Sequence, residues 1–324
     1  MRLFFYVILF ISSLSTSSVF ADWYRSDKAI MGTQITVELW ADSQEQGNLA
    51  LKLAMAEMHR IDELMSPYKN QSELSKLNQS AAKKPVLVSS ELFNIIKKSI
   101  EISELTQGAF DITSASIGFL YDYRNKHKPS EQSLKNKLAA INYQKLILNE
   151  NVHSIYFAHP DIKVDLGGIA KGYAVDNVLT LLRRYKISNA MVTAGGDTGL
   201  LGDRRGRPWI VGIRDPRNKD KQAVQLPLQN EALSTSGDYE RYFEENGVRY
   251  HHILHPKTGR SVSQVQSVSI IGSQSIMTDA LSTSVFVLGV KSGLALINSL
   301  EGYDAIILDK YRKLHYSEEL MASQ

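Results

Sequence analysis

The chain has 324 residues, a formal net charge of +3 and no cysteine. Without thiols it forms no disulfide and offers no thiolate nucleophile, whatever the redox state of its compartment. With charge so near balance and no dominant basic stripe, nucleic acid is not an expected partner.

Residues 1–21 read as an export leader. Arg2 supplies the positive start, Leu3 to Ile11 the apolar stretch, and Val19-Phe20-Ala21 a small-residue cleavage site. The apolar stretch falls short of the roughly 20 residues that cross a bilayer. A periplasmic protein without stable membrane insertion is therefore expected, an uncleaved anchor being the alternative. Residues 22–324 contain no Pro/Gly/Ser linker and no low-complexity tract, and read as one large domain.

Within that domain, Met31-Gly32 opens an alternating strand over Thr33 to Leu39. Leu51, Met55, Met58, Ile61 and Met65 recur at helical spacing, and Ser66-Pro67-Tyr68 closes that helix. Its methionines are assigned to core packing. Ser90 is expected to cap a second helix that turns Leu92, Ile95, Ile96, Ile102 and Leu105 inward and stops at Gly108, just before Ala109-Phe110-Asp111. The polar stretch Ser114 to Gln144, broken at Lys126-His127-Lys128-Pro129, is expected to be loop.

Asp165-Leu166-Gly167-Gly168-Ile169-Ala170-Lys171-Gly172 then surrounds a carboxylate and an ammonium with glycines. A helical pattern follows at Ala170, Ala174, Val178, Leu181 and Tyr185. Free amides and the dipole at a helix entrance attract an anion, so this segment reads as a phosphate or pyrophosphate cradle. A tight strand-to-helix turn is the plainer alternative. The segment is neither a P-loop nor G-x-G-x-x-G.

Strands are expected at Ala190–Thr193, Trp209–Ile213, Val224–Leu228, Val265–Gly272 and Asp304–Leu308. A helix holding Asp279 near its start should end at Gly289, with another over Ser292 to Leu300. Mixed elements without strict alternation argue for the α+β class. Asp279 and Thr283, four apart on one helix, share a face and suit a hard cation such as magnesium; a helix-start charge and a buried hydroxyl are the alternative. His252, between Tyr250 and Ile253, can act as a proton acceptor. His251 competes for that role and should face the opposite way.

Five motifs in order carry a wider resemblance: Met31-Gly32-Thr33, Met65-Ser66-Pro67-Tyr68, the glycine-rich segment, Ser234-Thr235-Ser236-Gly237-Asp238-Tyr239 with Tyr250 to Gly259, and Met277 to Thr283. Together they closely resemble the FAD:protein FMN transferases, the ApbE family, from about Trp23 to about Leu308. The resemblance implies a T-fold-like α+β domain with antiparallel or mixed sheets packed by helices. It also implies Mg-dependent transfer of FMN from FAD to a threonine or serine hydroxyl of an acceptor protein, with release of AMP. Acceptors would be flavin-carrying subunits of membrane redox complexes or exported reductases. His252 falls at the family's catalytic histidine, and Asp279, Thr283 and the Gly168 carbonyl at its magnesium site. Met31, Tyr68, Ala109, Phe110, Asp111, Asp165, Lys171 and Leu254 fall at nucleotide-binding positions. His255 departs from the family's usual aspartate. Lacking cysteine, the chain cannot carry the lipid anchor of many exported members. An FAD pyrophosphatase and a periplasmic flavin carrier are the competing readings.

Overall fold

The computed structural model describes residues 21–322, so the leader, save Ala21, lies outside the described residues. In chain order the elements begin with β1 (Asp22–Ile30), β2 (Thr33–Ala41), α1 (Gln44–Met65), α2 (Glu73–Ser80), β3 (Val86–Leu87) and α3 (Ser90–Leu105). Next come α4 (Ala115–Gly118), α5 (Glu131–Lys137), β4 (Leu146–Asn149), β5 (Ser154–Phe157), α6 (Ala170–Arg184), β6 (Ala190–Ala194) and β7 (Asp197–Leu201). They continue with β8 (Trp209–Asp215), β9 (Asn218–Leu228), β10 (Ala232–Gly237), β11 (Tyr242–Glu245), β12 (Val248–His251), β13 (Leu254–His255) and β14 (Arg260–Ser261). The last are β15 (Val265–Gly272), α7 (Ser275–Asn298), β16 (Asp304–Asp309), β17 (Leu314–Tyr316) and α8 (Glu318–Ala322).

Eight strands form one antiparallel sheet in the order β1-β2-β6-β7-β10-β15-β16-β17, open at both edges. Strand alternation divides its side chains between two cores. Val37, Val192, Val268, Ile270 and Ile307 point to the helical face under α1, α6 and α7. Leu200, Leu233, Ile271 and Ile306 point the other way, against Trp209 and the β8–β9 hairpin. The α+β class read from the sequence is the observed one.

Several expectations need correction. Ser89, not Ser90, caps α3, accepting a hydrogen bond from the Leu92 amide at 3.2 Å. The stretch Ser114 to Gln144 contains α4 and α5 rather than loop alone. On α6 the inward stripe is Ala174, Val175, Val178, Leu179 and Leu182, whereas Tyr185 is exposed. The break foreseen at Gly289 is real, but it is a kink inside α7, with φ of 74°. That helix is apolar and long enough to span a bilayer, yet most of it is buried against β10, β15 and α6. Its apolarity is that of a core helix.

Two contacts fix how α7 lies. Strand β10 and helix α7 are joined by hydroxyl pairs: Ser234 with Thr278 at 2.8 Å and Ser236 with Ser282 at 2.8 Å. Two strand residues advance about 6.6 Å and four helix residues about 6 Å, so the two spacings match. Helices α6 and α7 meet at Gly172, where a Cβ would lie 2.2 Å from the Ser275 carbonyl oxygen and 2.8 Å from the Asp279 Cβ. Gly172→Ala must push the helices apart and should lower stability by about 1–3 kcal/mol. Gly118, with nothing within 4 Å of its Cβ position, is the control. Thermal melting should separate the two variants; equal melting temperatures would contradict the close approach.

Candidate active site

Most amides of the glycine-rich turn are already taken. Asp165 accepts from the Gly167 amide at 2.9 Å, and the Leu166 carbonyl accepts from Ile169 at 3.0 Å and Ala170 at 2.8 Å. One turn into α6, the Gly172 amide donates to Asp279 Oδ2 at 3.0 Å. The anion at this helix entrance is therefore the chain's own carboxylate, which corrects the reading of an open phosphate cradle. The favour is returned: Asp176 of α6 accepts from the Ser275 and Ile276 amides of α7, both at 2.9 Å. Each helix caps the other.

Lys171 sits inside this arrangement. Its Nζ lies 2.6 Å from Asp197 Oδ2 and 3.3 and 3.4 Å from the two oxygens of Asp279. Both carboxylates are almost wholly buried, with side chains 2% and 4% exposed. Two carboxylates share one ammonium, leaving an excess negative charge. Burial, with Asp197 beside it, raises the Asp279 pKa to about 7 against the pull of Lys171 and the Gly172 amide. The same pair of carboxylates holds the Lys171 ammonium well above its ordinary range, although burial opposes them.

That excess charge is what a cation site requires. Thr283, one turn along from Asp279, shares a contact of 3.2 Å with Ser236 Oγ. Its Oγ1 lies 3.3 Å from where a Gly168 Cβ would be, so a side chain there would crowd the hydroxyl. Gly168, Asp279 and Thr283 thus gather on one side of α7. Among the described residues no group of three His, Cys, Asp or Glu could hold a metal. One carboxylate with hydroxyl and carbonyl oxygens fits magnesium, which completes its shell with water and phosphate oxygens.

The β11–β12 hairpin supplies the facing wall. Asp238 holds it in place, pairing with Arg217 at 2.6 and 2.7 Å and with Arg249 of β12 at 3.2 Å. The two histidines after Tyr250 then part. His251 is buried, its Nε2 2.5 Å from the Val262 carbonyl oxygen and its ring edge-on to Phe286 at 5.6 Å. His252 is exposed, and its amide donates to the Arg241 carbonyl at 3.1 Å. Surrounding protein pushes the His252 pKa down to about 3, with Arg241, His251 and Lys171 adding like charge. The imidazole is therefore neutral at neutral pH.

The remaining residues divide. Tyr68 is 69% exposed, edge-on to Phe119 at 6.2 Å, and within reach of the Arg241 charge. Met31 and Gly32 both have positive φ, 54° and 68°, in the two-residue turn between β1 and β2. A two-residue hairpin turn asks for that conformation at both positions, and methionine adopts it at some strain. Phe110 is buried and touches the Gly168 position at 3.3 Å, while Ala109 lines a cleft of about 410 Å³ with His255. Asp111 is largely committed to the fold, accepting from the Thr113 amide at 2.8 Å, the Thr113 hydroxyl at 2.6 Å and the Tyr143 amide at 3.1 Å. The Leu254 side chain packs among Ile117, Tyr121 and Leu134, so it offers a ligand its backbone at most. His255 serves its turn, its Nδ1 accepting from the Lys257 amide at 3.2 Å. Sequence reasoning missed Asp176, Asp197 and Arg241. Asp197, right after the Gly195-Gly196 turn, and Arg241, two residues beyond the Tyr239 motif, were the findable ones.

The model of the ApbE family matches residues 31–307. The chain belongs to the ApbE family. Curated relatives include an FAD:protein FMN transferase of Klebsiella pneumoniae (strain 342), 30% identical over 296 residues and covering 90% of each chain. Another, from Vibrio cholerae, is 34% identical over 278 residues, covering 82% of this chain and 81% of its own. The solved ApbE protein of Thermotoga maritima superposes with a TM-score of 0.85 at 31% identity, covering 93% of this chain and 99% of its own. The flavin transferase ApbE of Vibrio cholerae gives 0.82 at 29% identity, with the same coverage.

The facing of the two histidines in this ApbE chain has a consequence for stability. Burial holds His251 below the ordinary imidazole range, so the unfolded state takes up its proton first as pH falls below about 6.5. Stability is then lost on acidification through that window. Urea midpoints between pH 8 and 5 should fall less steeply for His251→Gln than for the wild type. Parallel slopes would contradict a buried neutral ring.

Proposed function

We propose that this chain is an FAD:protein FMN transferase, which moves FMN from FAD to a threonine or serine hydroxyl of an acceptor protein and releases AMP. The observation that carries this reading is the pairing of base and charge cluster. An exposed, neutral imidazole at His252 lies within reach of the charge of Lys171, the ammonium that the buried Asp197 and Asp279 share. The acceptor oxygen attacks the FMN phosphorus, the phosphorus–oxygen bond to AMP breaks, and His252 takes the hydroxyl proton. Magnesium held by Asp279, Thr283 and the Gly168 carbonyl would supply charge neutralisation for the phosphates. The protein's own work is to bind, to orient and to accept a proton, as phosphoryl chemistry of this kind demands. Tyr68, with its exposed ring, and the Met31 turn are the surfaces offered to the flavin.

The leader-like residues 1–21 support export to the periplasm, where flavin-carrying subunits of membrane redox complexes or exported reductases are the acceptors. His252→Ala should keep FAD binding and lose about 10²–10⁴-fold in transfer, whereas His251→Ala should lose stability first. In-gel flavin fluorescence of a co-expressed acceptor domain reads both. Free FMN produced at full rate without acceptor would favour hydrolysis, and neither product would favour a carrier. Because its surroundings lower the His252 pKa, the acid limb of the transfer rate should lie below the usual imidazole range near 6.5. At saturating magnesium, which would keep Asp279 ionised, a midpoint at or above it would remove His252 as the base.

A further inference from the structure

Two cations stand near His252, and they are not equivalent. Lys171 is shared by Asp197 and Asp279 and has no uncompensated charge to offer. Arg241 is exposed and makes no salt bridge among the described residues; its charge lies close enough to the Tyr68 phenol to act on it. Its Nη2 lies 3.6 Å from the point where a Gly32 side chain would begin, so the guanidinium lies against the strained Met31-Gly32 turn. Its charge acts on Asp165 and on His252, whose amide its own carbonyl holds at 3.1 Å. The free cation is thus tied by backbone to the proposed base.

We propose that Arg241, rather than Lys171, binds the diphosphate of the dinucleotide. This rests on the reading of FAD as substrate. A guanidinium presents paired N–H donors that match two phosphate oxygens, and it stays charged at every working pH. Lys171 instead holds the two buried carboxylates in place. The two basic residues therefore divide the labour, one toward the ligand and one toward the protein.

The test is affinity measured by flavin fluorescence, with FAD and riboflavin as probes, on the wild type, Arg241→Ala and Arg241→Lys. Losing a charge-assisted pair should weaken FAD binding by about 10–100-fold, leave riboflavin binding unchanged and reduce the salt dependence for FAD. Arg241→Lys should recover part of the loss, which a merely structural role would not predict. Equal loss of riboflavin and FAD would place the guanidinium against the flavin ring and overturn the proposal, as would unchanged FAD affinity. Failure of the wild type to bind FAD at all would overturn the transferase reading along with it. Binding that ignores Arg241 would overturn this inference alone.

Discussion

Helices α6 and α7 cap one another, and the rest of the site depends on that exchange. Asp176 closes the start of α7, Asp279 closes the start of α6, and Lys171 stands between Asp279 and Asp197. Buried charges are tolerated only when paired and hydrogen-bonded. Here three of them come from α6, α7 and the strand between the sheet's two halves, so satisfying them fixes where those elements meet. Gly172 permits the meeting because any side chain would strike the Ser275 carbonyl. The fold's electrostatic solution also leaves one carboxylate short of a partner charge. That deficit lies beside the Thr283 hydroxyl and the Gly168 turn.

The opposing wall is built by a different device. A two-stranded hairpin has little core of its own and is marginal alone. Asp238 anchors it through Arg217 and Arg249, and His251 anchors it again through Val262 and Phe286. His251 thereby spends its polarity inside the protein, and His252, its neighbour, is turned out. Neutrality of the exposed ring follows from the same surroundings, since three cationic or titratable neighbours oppose a proton there. A buried negative cluster and a neutral, exposed imidazole are what the proposed reaction would ask of these two elements.

Much of this was legible in the sequence, and the limits are instructive. Period-two and period-four patterns located β2, α1, β15 and α7, because burial on one face imposes them directly. The break at Gly289, read as a helix end rather than a kink, and the opposite facing of His251 and His252 were readable from a glycine and from alternation. Strand β1 was not, since an edge strand carrying Asp22, Arg25, Asp27 and Lys28 has polar positions where a central strand would not. The glycine-rich entrance was misread as open for a related reason: its anion arrives from Asp279, more than a hundred residues later. Local sequence shows that a helix start wants a negative charge but not who supplies it. Asp176, Asp197 and Arg241 escaped notice likewise, since their partners are distant in the chain.

The central claim is that Lys171, Asp197 and Asp279 form one charge-compensated unit that joins fold and site. A double-mutant cycle of Lys171→Met and Asp197→Asn, followed by urea unfolding near neutral pH, tests it most directly. Removing either partner alone should cost about 3–5 kcal/mol, because the other is left buried without compensation. Removing both should cost less than the two losses added together, with a coupling of about 1–3 kcal/mol. Strictly additive losses, or single variants as stable as the wild type, would contradict the account.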